Sequence, residues 1–233
     1  MQRSANLLLR RVNDFLSPGP APSEGPLPLP DHLIALPSRE GVALLVGSLL
    51  GDYLRLSAHY VPQESPKFCG PATIAICLNA LDLAPPEGAG WPKFTQRNIF
   101  TPGTDAVRTQ DAVAREGMGL AVLADFVTAH GGRPEVRFAE HGSLEEFRAI
   151  ACEVLADPQR HLAVNYLRPA LGQEGRGHTS PLVAYDAASD RFLVLDTSLV
   201  RYPPVWARAE DLFAAMNTRA GAHTRGFAIV GRA

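Results

Sequence analysis

Cys69 is the residue of this sequence best placed to do chemistry. It precedes Gly70 and Pro71 and an apolar stretch that extends to Leu81. The Gly-Pro pair predicts that a helix begins there, because proline fits the first helical position. A helix N-terminus stabilises an anion and lowers the pKa of a thiol, so this position favours a nucleophilic thiolate. The alternative is a buried cysteine with a structural role, which is the commoner fate of a free cysteine.

Gln63 is a candidate partner of this cysteine because it lies only six residues upstream. Its side-chain amide can donate a hydrogen bond to an oxyanion that forms beside the sulfur. The backbone N–H of Cys69 would then be the second donor of an oxyanion hole. The spacing therefore predicts acyl-transfer chemistry if a base is also present.

His178 and Asp196 are the candidate base and its orienting group, which a cysteine nucleophile needs. His178 follows a glycine-rich segment and enters a predicted strand at 179–185. Asp196 ends the next predicted strand, and a turn at 186–190 joins the two as a hairpin, which places both side chains at one end of the sheet. A helix-borne cysteine facing a sheet-borne histidine and aspartate is the papain-like arrangement, recognised by roles and geometry.

The other cysteines and histidines do not form a second site by their spacing. The three cysteines include no C-x-x-C pair, their odd number does not fit a disulfide framework, and Cys152 is expected to pack in the core. The histidines lack metal-ligand spacing, which predicts no built-in zinc site. The remaining histidines are expected to be solvated or simply hydrogen-bonded; they are His32, His59, His130, His141, His161 and His223.

The composition predicts one globular domain preceded by an arm. A chain of 233 residues with 46% hydrophobic content can bury one good-sized core. Prolines crowd residues 17–30, which predicts an extended linker. We therefore assign residues 1–30 to an N-terminal arm and proline-rich linker, and residues 31–233 to the catalytic domain.

Charge and hydropathy exclude several classes of partner. The net charge of -2 comes from mixed signs, so neither a nucleic-acid surface nor an anionic-membrane surface is indicated. The apolar runs are far too short to cross a membrane, and the three leucines before Arg10 are too short for a signal-peptide core. A cytoplasmic location is expected, since a reducing compartment suits a catalytic thiol.

The apolar periodicity predicts an α+β fold in which an N-terminal helical lobe packs on a C-terminal antiparallel β-sheet lobe. Ser38 and the Ser143/Glu146 capping box mark two helix starts. Helices are expected after Ser38, at 106–116, at 120–130, after Ser143 and at 210–216; strands are expected at 133–138, 161–167, 179–185, 191–196 and 227–230.

Several long blocks, in one order from about Leu33 to Val230, resemble the catalytic domain of phytochelatin synthase. The likeness is greatest to the short bacterial and cyanobacterial homologues, because nothing after Ala233 could form the cysteine-rich regulatory domain of the plant enzymes. The matching blocks are 63–81, 94–100, 116–120, 164–168, 172–181, 201–206 and 224–227.

The resemblance implies a papain-like cysteine protease fold and a glutathione γ-glutamylcysteinyltransferase. Cys69 would attack the Cys-Gly bond of glutathione, Gln63 would stabilise the oxyanion, His178 would protonate the departing glycine, and Asp196 would hold His178. The γ-glutamylcysteinyl thioester would pass to water or to a second glutathione, which yields phytochelatin for heavy-metal detoxification. Hydrolysis is expected to dominate, because the resemblance to the short homologues implies a protein without that regulatory domain.

The resemblance also implies substrate contacts and partners. Gly70, Asn165, Gly177 and Arg225 would bind substrate, and an arginine suits the γ-glutamyl carboxylate because its planar fork donates two hydrogen bonds. On the residues alone, the favoured interpretation is that Arg225 is a surface ion-pair partner and Asn165 a strand-edge amide. No intrinsic cofactor is implied; Cd²⁺ or Zn²⁺ would enter on substrate thiolates, which soft metals favour. The short homologues further suggest a homodimer.

Two other functions stay open. A general papain-like cysteine peptidase would need an extended cleft that accepts polypeptides. A non-catalytic module that binds glutathione or a metal thiolate would not need the intact set of Gln63, Cys69, His178 and Asp196, so the presence of that set weighs against it.

Overall fold

The computed structural model describes residues 25–232. Most of the predicted arm, residues 1–24, lies outside the described residues, and the domain boundary at residue 30 stays a prediction. Within the described part, the backbone N–H of Leu27 donates to the carbonyl oxygen of Arg201 at 2.9 Å, so the end of the linker lies against the domain.

The described residues form both α-helices and β-strands. The helices are α1 (Arg39–Gly47), α2 (Tyr53–Ser57), α3 (Cys69–Ala80), α4 (Pro102–Asp105), α5 (Gln110–Glu116), α6 (Leu120–Ala129), α7 (Leu144–Ala156) and α8 (Ala209–Met216). The strands are β1 (Ile34–Ala35), β2 (Gly132–Phe138), β3 (Arg160–Leu167), β4 (Gly177–Asp186), β5 (Arg191–Val194), β6 (Val205–Arg208), β7 (Arg219–Ala220), β8 (His223–Thr224) and β9 (Gly226–Arg232).

One seven-stranded sheet organises the molecule, in the order β1-β6-β5-β4-β3-β9-β2. Every pairing in it is antiparallel. The last strand, β9, enters between β3 and β2, so β2 lies at an edge although it comes early in the chain. This mixture of helices and an antiparallel sheet confirms the α+β class.

Helices cover both faces of this sheet. On one face α3 and α6 pack with sheet residues such as Ala163 and Val183. On the other face α7 and α8 pack with residues such as Val164 and Leu182. Because neighbouring strand residues point to opposite faces, the continuous apolar run of β3 supplies both cores. The predicted lobe arrangement did not include this second helical layer.

Helix α3, which begins with the candidate nucleophile Cys69, lies in the middle of the first core. Every residue from Cys69 to Asn79 is buried, as expected for a helix that is apolar all round. Helix α3 begins at Cys69 itself, one residue before the predicted Gly-Pro start. Pro71 is therefore its third residue, still within the first turn, where a backbone N–H has no partner inside the helix.

Other boundaries moved for local reasons. The helix predicted from 106 begins at Gln110, because Thr109 accepts a hydrogen bond from the N–H of Ala112 and caps it there. Both predicted caps are present, at Ser38 and in the Ser143/Glu146 capping box.

Strand β6 is absent from the predicted strands, although it lies in the central sheet. Pro203 and Pro204 precede the strand rather than interrupt it, so its ladder keeps its N–H donors.

None of the helices between residues 25 and 232 is both long and apolar enough to cross a membrane. The longest, α7, has 13 residues, whereas a bilayer needs about 20.

Candidate active site

Cys69 is the first residue of α3 and is 8% exposed. The residue before it, Phe68, makes no side-chain cap, so no side chain competes for the free N–H groups of the first turn. The next residue must be small, since a Cβ on Gly70 would lie 2.4 Å from Cγ of Met118. Gly70 is therefore a packing requirement that lets Met118 approach the helix beside Cys69.

The Cys69 thiol is hydrogen-bonded to the imidazole of His178. Burial by itself would raise the pKa of Cys69, but the hydrogen bond and the charge of His178 outweigh it and hold the thiol pKa below its ordinary value. The N–H of Gly70 and the backbone of Thr179 act in the same direction. The geometry thus favours a thiolate paired with an imidazolium.

His178 lies on β4, directly across from Tyr166 of β3. Its Nε2 is 2.9 Å from Oδ1 of Asp196 and 2.9 Å from Oγ of Ser180, which leaves Nδ1 as the ring nitrogen available to Cys69. Burial alone would lower the pKa of His178, but the Asp196 carboxylate outweighs that effect and raises the pKa. The imidazole is therefore oriented and made more basic by one partner.

Asp196 follows the end of β5, because the strand stops at Val194 rather than at the predicted residue 196. Its Oδ1 accepts hydrogen bonds from Nη2 of Arg168 at 2.9 Å and from the N–H of Ser198 at 2.8 Å. Burial would raise the pKa of Asp196, yet His178 and Arg168 together hold it well below its usual range. The carboxylate is therefore ionised although it is fully buried.

Arg168 is the chief residue of this site that the sequence prediction missed. The residue is 3% exposed. Its guanidinium donates to Oε1 of Gln173 at 2.7 Å and lies 5.0 Å from the centroid of the Tyr202 ring. The available signal was an arginine immediately after the apolar strand that ends at Leu167. Tyr60 was missed too; its hydroxyl donates to the carbonyl oxygen of Asp196 at 2.5 Å.

Gln63 lies beside the residue that follows Asp196. Its backbone N–H donates to the carbonyl oxygen of Thr197 at 2.8 Å, and its Oε1 accepts from the Thr197 hydroxyl at 3.4 Å. Its Nε2 donates to the carbonyl oxygen of Ser65 at 2.8 Å. An amide nitrogen carries two hydrogens, so one remains for a further acceptor.

The three remaining candidate residues meet around the start of β4. Asn165 is buried, and its Nδ2 donates to Oγ1 of Thr179 at 2.7 Å and to the carbonyl oxygen of His178 at 3.3 Å. A Cβ on Gly177 would lie 2.9 Å from Nη2 of Arg225. The absence of a side chain at Gly177 thus lets the guanidinium lie directly on the strand next to the histidine.

Arg225 is half-buried without a carboxylate partner among the described residues. Its Nη1 donates to backbone and hydroxyl oxygens of Thr218 and to the carbonyl oxygen of Arg219. Burial lowers the pKa of Arg225, although an arginine stays protonated. A cation held in this way is suited to bind an anionic group from outside the protein.

The comparisons with known proteins agree on one family. The family model described as phytochelatin synthase matches residues 25–227. Glutathione gamma-glutamylcysteinyltransferase 3 of Lotus japonicus is 31% identical over 84% of this chain and 41% of its own length. For glutathione gamma-glutamylcysteinyltransferase 1 of Arabidopsis thaliana the identity is 28%, over 82% of this chain and 39% of that protein.

A fungal relative extends the match. Glutathione gamma-glutamylcysteinyltransferase of Schizosaccharomyces pombe is 25% identical over 87% of this chain and 50% of its own length. The chain thus spans half or less of the curated relatives it matches. Since the family model covers nearly the whole described part, the chain belongs to the phytochelatin synthase family.

Proposed function

We propose that this protein cleaves the Cys-Gly bond of glutathione through a γ-glutamylcysteinyl thioester on Cys69. The observation that carries the proposal is the chain of contacts from the Cys69 thiol to His178 and from His178 to Asp196, within a member of this family. The relatives are named as glutathione gamma-glutamylcysteinyltransferases, which supplies the substrate and the acyl group.

In the first half-reaction the Cys69 thiolate attacks the carbonyl carbon of the cysteinyl residue of glutathione. The oxyanion that forms is stabilised by the second hydrogen of the Gln63 amide and by the Cys69 backbone N–H at the helix N-terminus. The His178 imidazolium then donates its proton to the glycine nitrogen, the C–N bond breaks, and glycine leaves. The products are glycine and the thioester.

In the second half-reaction neutral His178 accepts a proton from the incoming nucleophile. Water gives γ-glutamylcysteine, and the α-amine of a second glutathione gives a γ-glutamylcysteine oligomer. Each route regenerates the Cys69 thiolate and the imidazolium. Cd²⁺ or Zn²⁺ enters bound to the thiolate of the substrate, since these soft or borderline ions bind sulfur well. The proposal includes no resident cofactor.

Arg225 is proposed to bind the carboxylate at the γ-glutamyl end, with Asn165 and Gly177 beside it. The support is a half-buried guanidinium that no carboxylate of the described residues neutralises and that lies next to the strand carrying His178. Gly70 contributes by packing, because it admits Met118 next to the nucleophile.

We further propose that the fold is papain-like, with the nucleophile on helix α3 and the base and its orienting group on the sheet. A reducing compartment such as the cytoplasm is part of the proposal, because the reaction needs a free thiol and Cys69, Cys77 and Cys152 are all unpaired. The predicted homodimer stays a prediction.

The test is mass spectrometry of the purified protein incubated with glutathione, with and without Cd²⁺. We expect a mass gain of one γ-glutamylcysteinyl group, with glycine and γ-glutamylcysteine in solution, and oligomers if transfer operates. Cys69→Ser should abolish the thioester and glycine release, whereas Cys152→Ser should keep both, because Cys152 lies in α7 away from the site. Glycine release that survives Cys69→Ser would contradict the mechanism.

A further inference from the structure

We propose that Glu140, His141 and His223 form a binding site for a divalent transition-metal ion such as Zn²⁺. One carboxylate oxygen and one nitrogen from each imidazole lie within 4.8 Å of one another. Two imidazoles and a carboxylate are a ligand set that zinc accepts, with a fourth position left for water. The site does not include Cys69. The side chains of the protein itself would be the ligands of the metal ion.

The distances require only a small adjustment to bind such an ion. Oε1 of Glu140 is 2.9 Å from Nδ1 of His223 and 3.9 Å from Nε2 of His141. Around a tetrahedral ion with metal–ligand bonds of about 2.0–2.2 Å, neighbouring ligand atoms are separated by about 3.3–3.5 Å. The same carboxylate oxygen thus already lies close to both ring nitrogens that would share the ion with it.

Two hydrogen bonds join the segments that supply the ligands. The N–H of Ala139 donates to the carbonyl oxygen of Arg225 at 2.9 Å, and the N–H of Glu140 donates to Oγ1 of Thr224 at 2.9 Å. The first segment is a short 3-10 turn over Ala139–His141 and the second is strand β8. These hydrogen bonds join them before any ion binds, so little ordering is left for the ion to impose.

The groups around the ligands also suit a metal site. The His223 ring stacks on Phe138, with centroids 4.4 Å apart and planes 15° from parallel, which restrains the imidazole. Nη1 of Arg219 is 3.2 Å from Oε2 of Glu140, the oxygen that does not face His223. Oε1 can therefore bind the ion while Oε2 keeps its partner, as outer contacts do in metal sites.

The ion must be one that prefers imidazole nitrogen. Zn²⁺, Co²⁺ and Ni²⁺ meet this condition, whereas Mg²⁺ and Ca²⁺ prefer oxygen ligands. The site could not be found from local spacing, because His223 lies 82 positions after His141 and only the fold brings them together. The proposal departs from the expectation that the histidines of this chain hold no metal.

The competing explanation is that Glu140, His223 and Arg219 are only a surface ion-pair network that ties the β7–β8 hairpin to the 3-10 turn. His141 distinguishes the two ideas. Its ring is largely exposed and its Nε2 is 3.9 Å from the carboxylate, too far for a hydrogen bond. A hairpin tie does not need His141, whereas a three-ligand site does.

The experiment titrates the tag-free Cys69→Ser protein with Co²⁺, followed by its absorption spectrum, and with Zn²⁺ in competition. The Cys69→Ser background removes the active-site thiolate as a rival ligand and needs no glutathione, so its outcome is independent of the proposed reaction. We expect one equivalent of metal to bind, with affinity lowered about tenfold or more by His141→Gln and by His223→Gln. His32→Gln is the matched control, an exposed histidine that should leave the affinity unchanged.

Two further measurements do not depend on the substitutions alone. Zn²⁺ should raise the unfolding temperature of the parent but not of the His141→Gln/His223→Gln double variant, since only the parent binds it in the folded state. One equivalent of Zn²⁺ should also shift the His141 and His223 imidazole signals in NMR spectra of the parent. Unchanged signals, absence of one-to-one binding, or equal affinity in the single variants would overturn the proposal.

Discussion

Helix α3 contains two buried cysteines, and each has a buried aspartate–histidine pair in its neighbourhood. Cys69 at its first residue contacts His178, which is held by Asp196. Cys77, two turns further along, lies close enough to Asp52 to feel its charge, and Asp52 lies against His161. The residue types are the same in the two regions, yet the thiols are affected in opposite directions.

The first region compensates the cost of burial. Oδ1 of Asp196 is contacted by the His178 ring, the Arg168 guanidinium and the Ser198 N–H. The charges of His178 and Arg168 hold the pKa of Asp196 low in spite of its burial. A negative carboxylate then raises the pKa of His178, and the imidazolium in turn lowers the pKa of Cys69. Each charge in this chain is stabilised by the next.

The second region does not compensate that cost. Nδ1 of His161 is 3.1 Å from Oδ2 of Asp52, but neither residue makes an aligned hydrogen bond through these atoms. Burial raises the pKa of Asp52, and His161 and Arg55 offset only part of this effect. Burial and Asp52 also raise the pKa of Cys77 well above its ordinary value. A buried Cys near a His and an Asp therefore has a lowered pKa only where hydrogen bonds and opposite charges offset the burial.

The largest expected effect is a difference in kcat between variants of the two aspartates, Asp196 and Asp52. Asp196→Asn should lower kcat for glycine release by about 10³-fold, because the amide cannot stabilise the imidazolium and can hold the wrong tautomer of His178. Asp52→Asn should change kcat little, since Asp52 contacts neither Cys69 nor His178. Steady-state glycine release under reducing conditions measures both. Equal losses in the two variants would mean that Asp196 acts through stability alone.

A smaller effect is expected from Arg168, which we take as a positioning residue. Arg168→Gln should lower kcat by about 10-fold to 100-fold, the value of a hydrogen bond to a charged group. Because Arg168 also lowers the pKa of His178, its loss should move the alkaline limb of the pH–rate profile to higher pH. Arg168→Lys should restore part of the rate.

The control for that prediction is Arg208→Gln, which removes an exposed ion pair with Asp211 and should change neither the rate nor the profile. A purely structural role of Arg168 would lower the rate without shifting the alkaline limb.

Only some of the residues around the two cysteines could be predicted from the sequence. The start of α3 to within one residue, the two caps and the β4–β5 hairpin follow from local patterns, so Cys69, His178 and Asp196 could be proposed together from their positions in the sequence. Arg168 could not, because its partner is 28 residues away and depends on how β3 and β4 pair. Asp52 and His161 are separated by more than a hundred residues, and no local pattern marks either as buried.

A further difference concerns stability, and its sign differs between the two aspartates. Asp196 has a lowered pKa in the folded state, so it contributes stability above the unfolded pKa of about 3.9 that is lost as the pH falls. Asp52 has a raised pKa, so the folded state binds more protons, and stability is lost as the pH rises from about 4 through the folded pKa.

Urea unfolding of the wild type, Asp196→Asn and Asp52→Asn at about pH 4 and about pH 7 tests this difference of sign. At the higher pH, Asp196→Asn should lower the free energy of unfolding by about 3 kcal/mol, because Arg168 is left buried without its countercharge. Asp52→Asn should instead gain stability relative to the wild type as the pH rises, by less than that amount, because an amide carries no charge that burial would disfavour. If both variants lose stability with rising pH, Asp52 is compensated in the folded protein as well as Asp196 is, and the distinction between the two cysteine environments must then arise from the helix N-terminus.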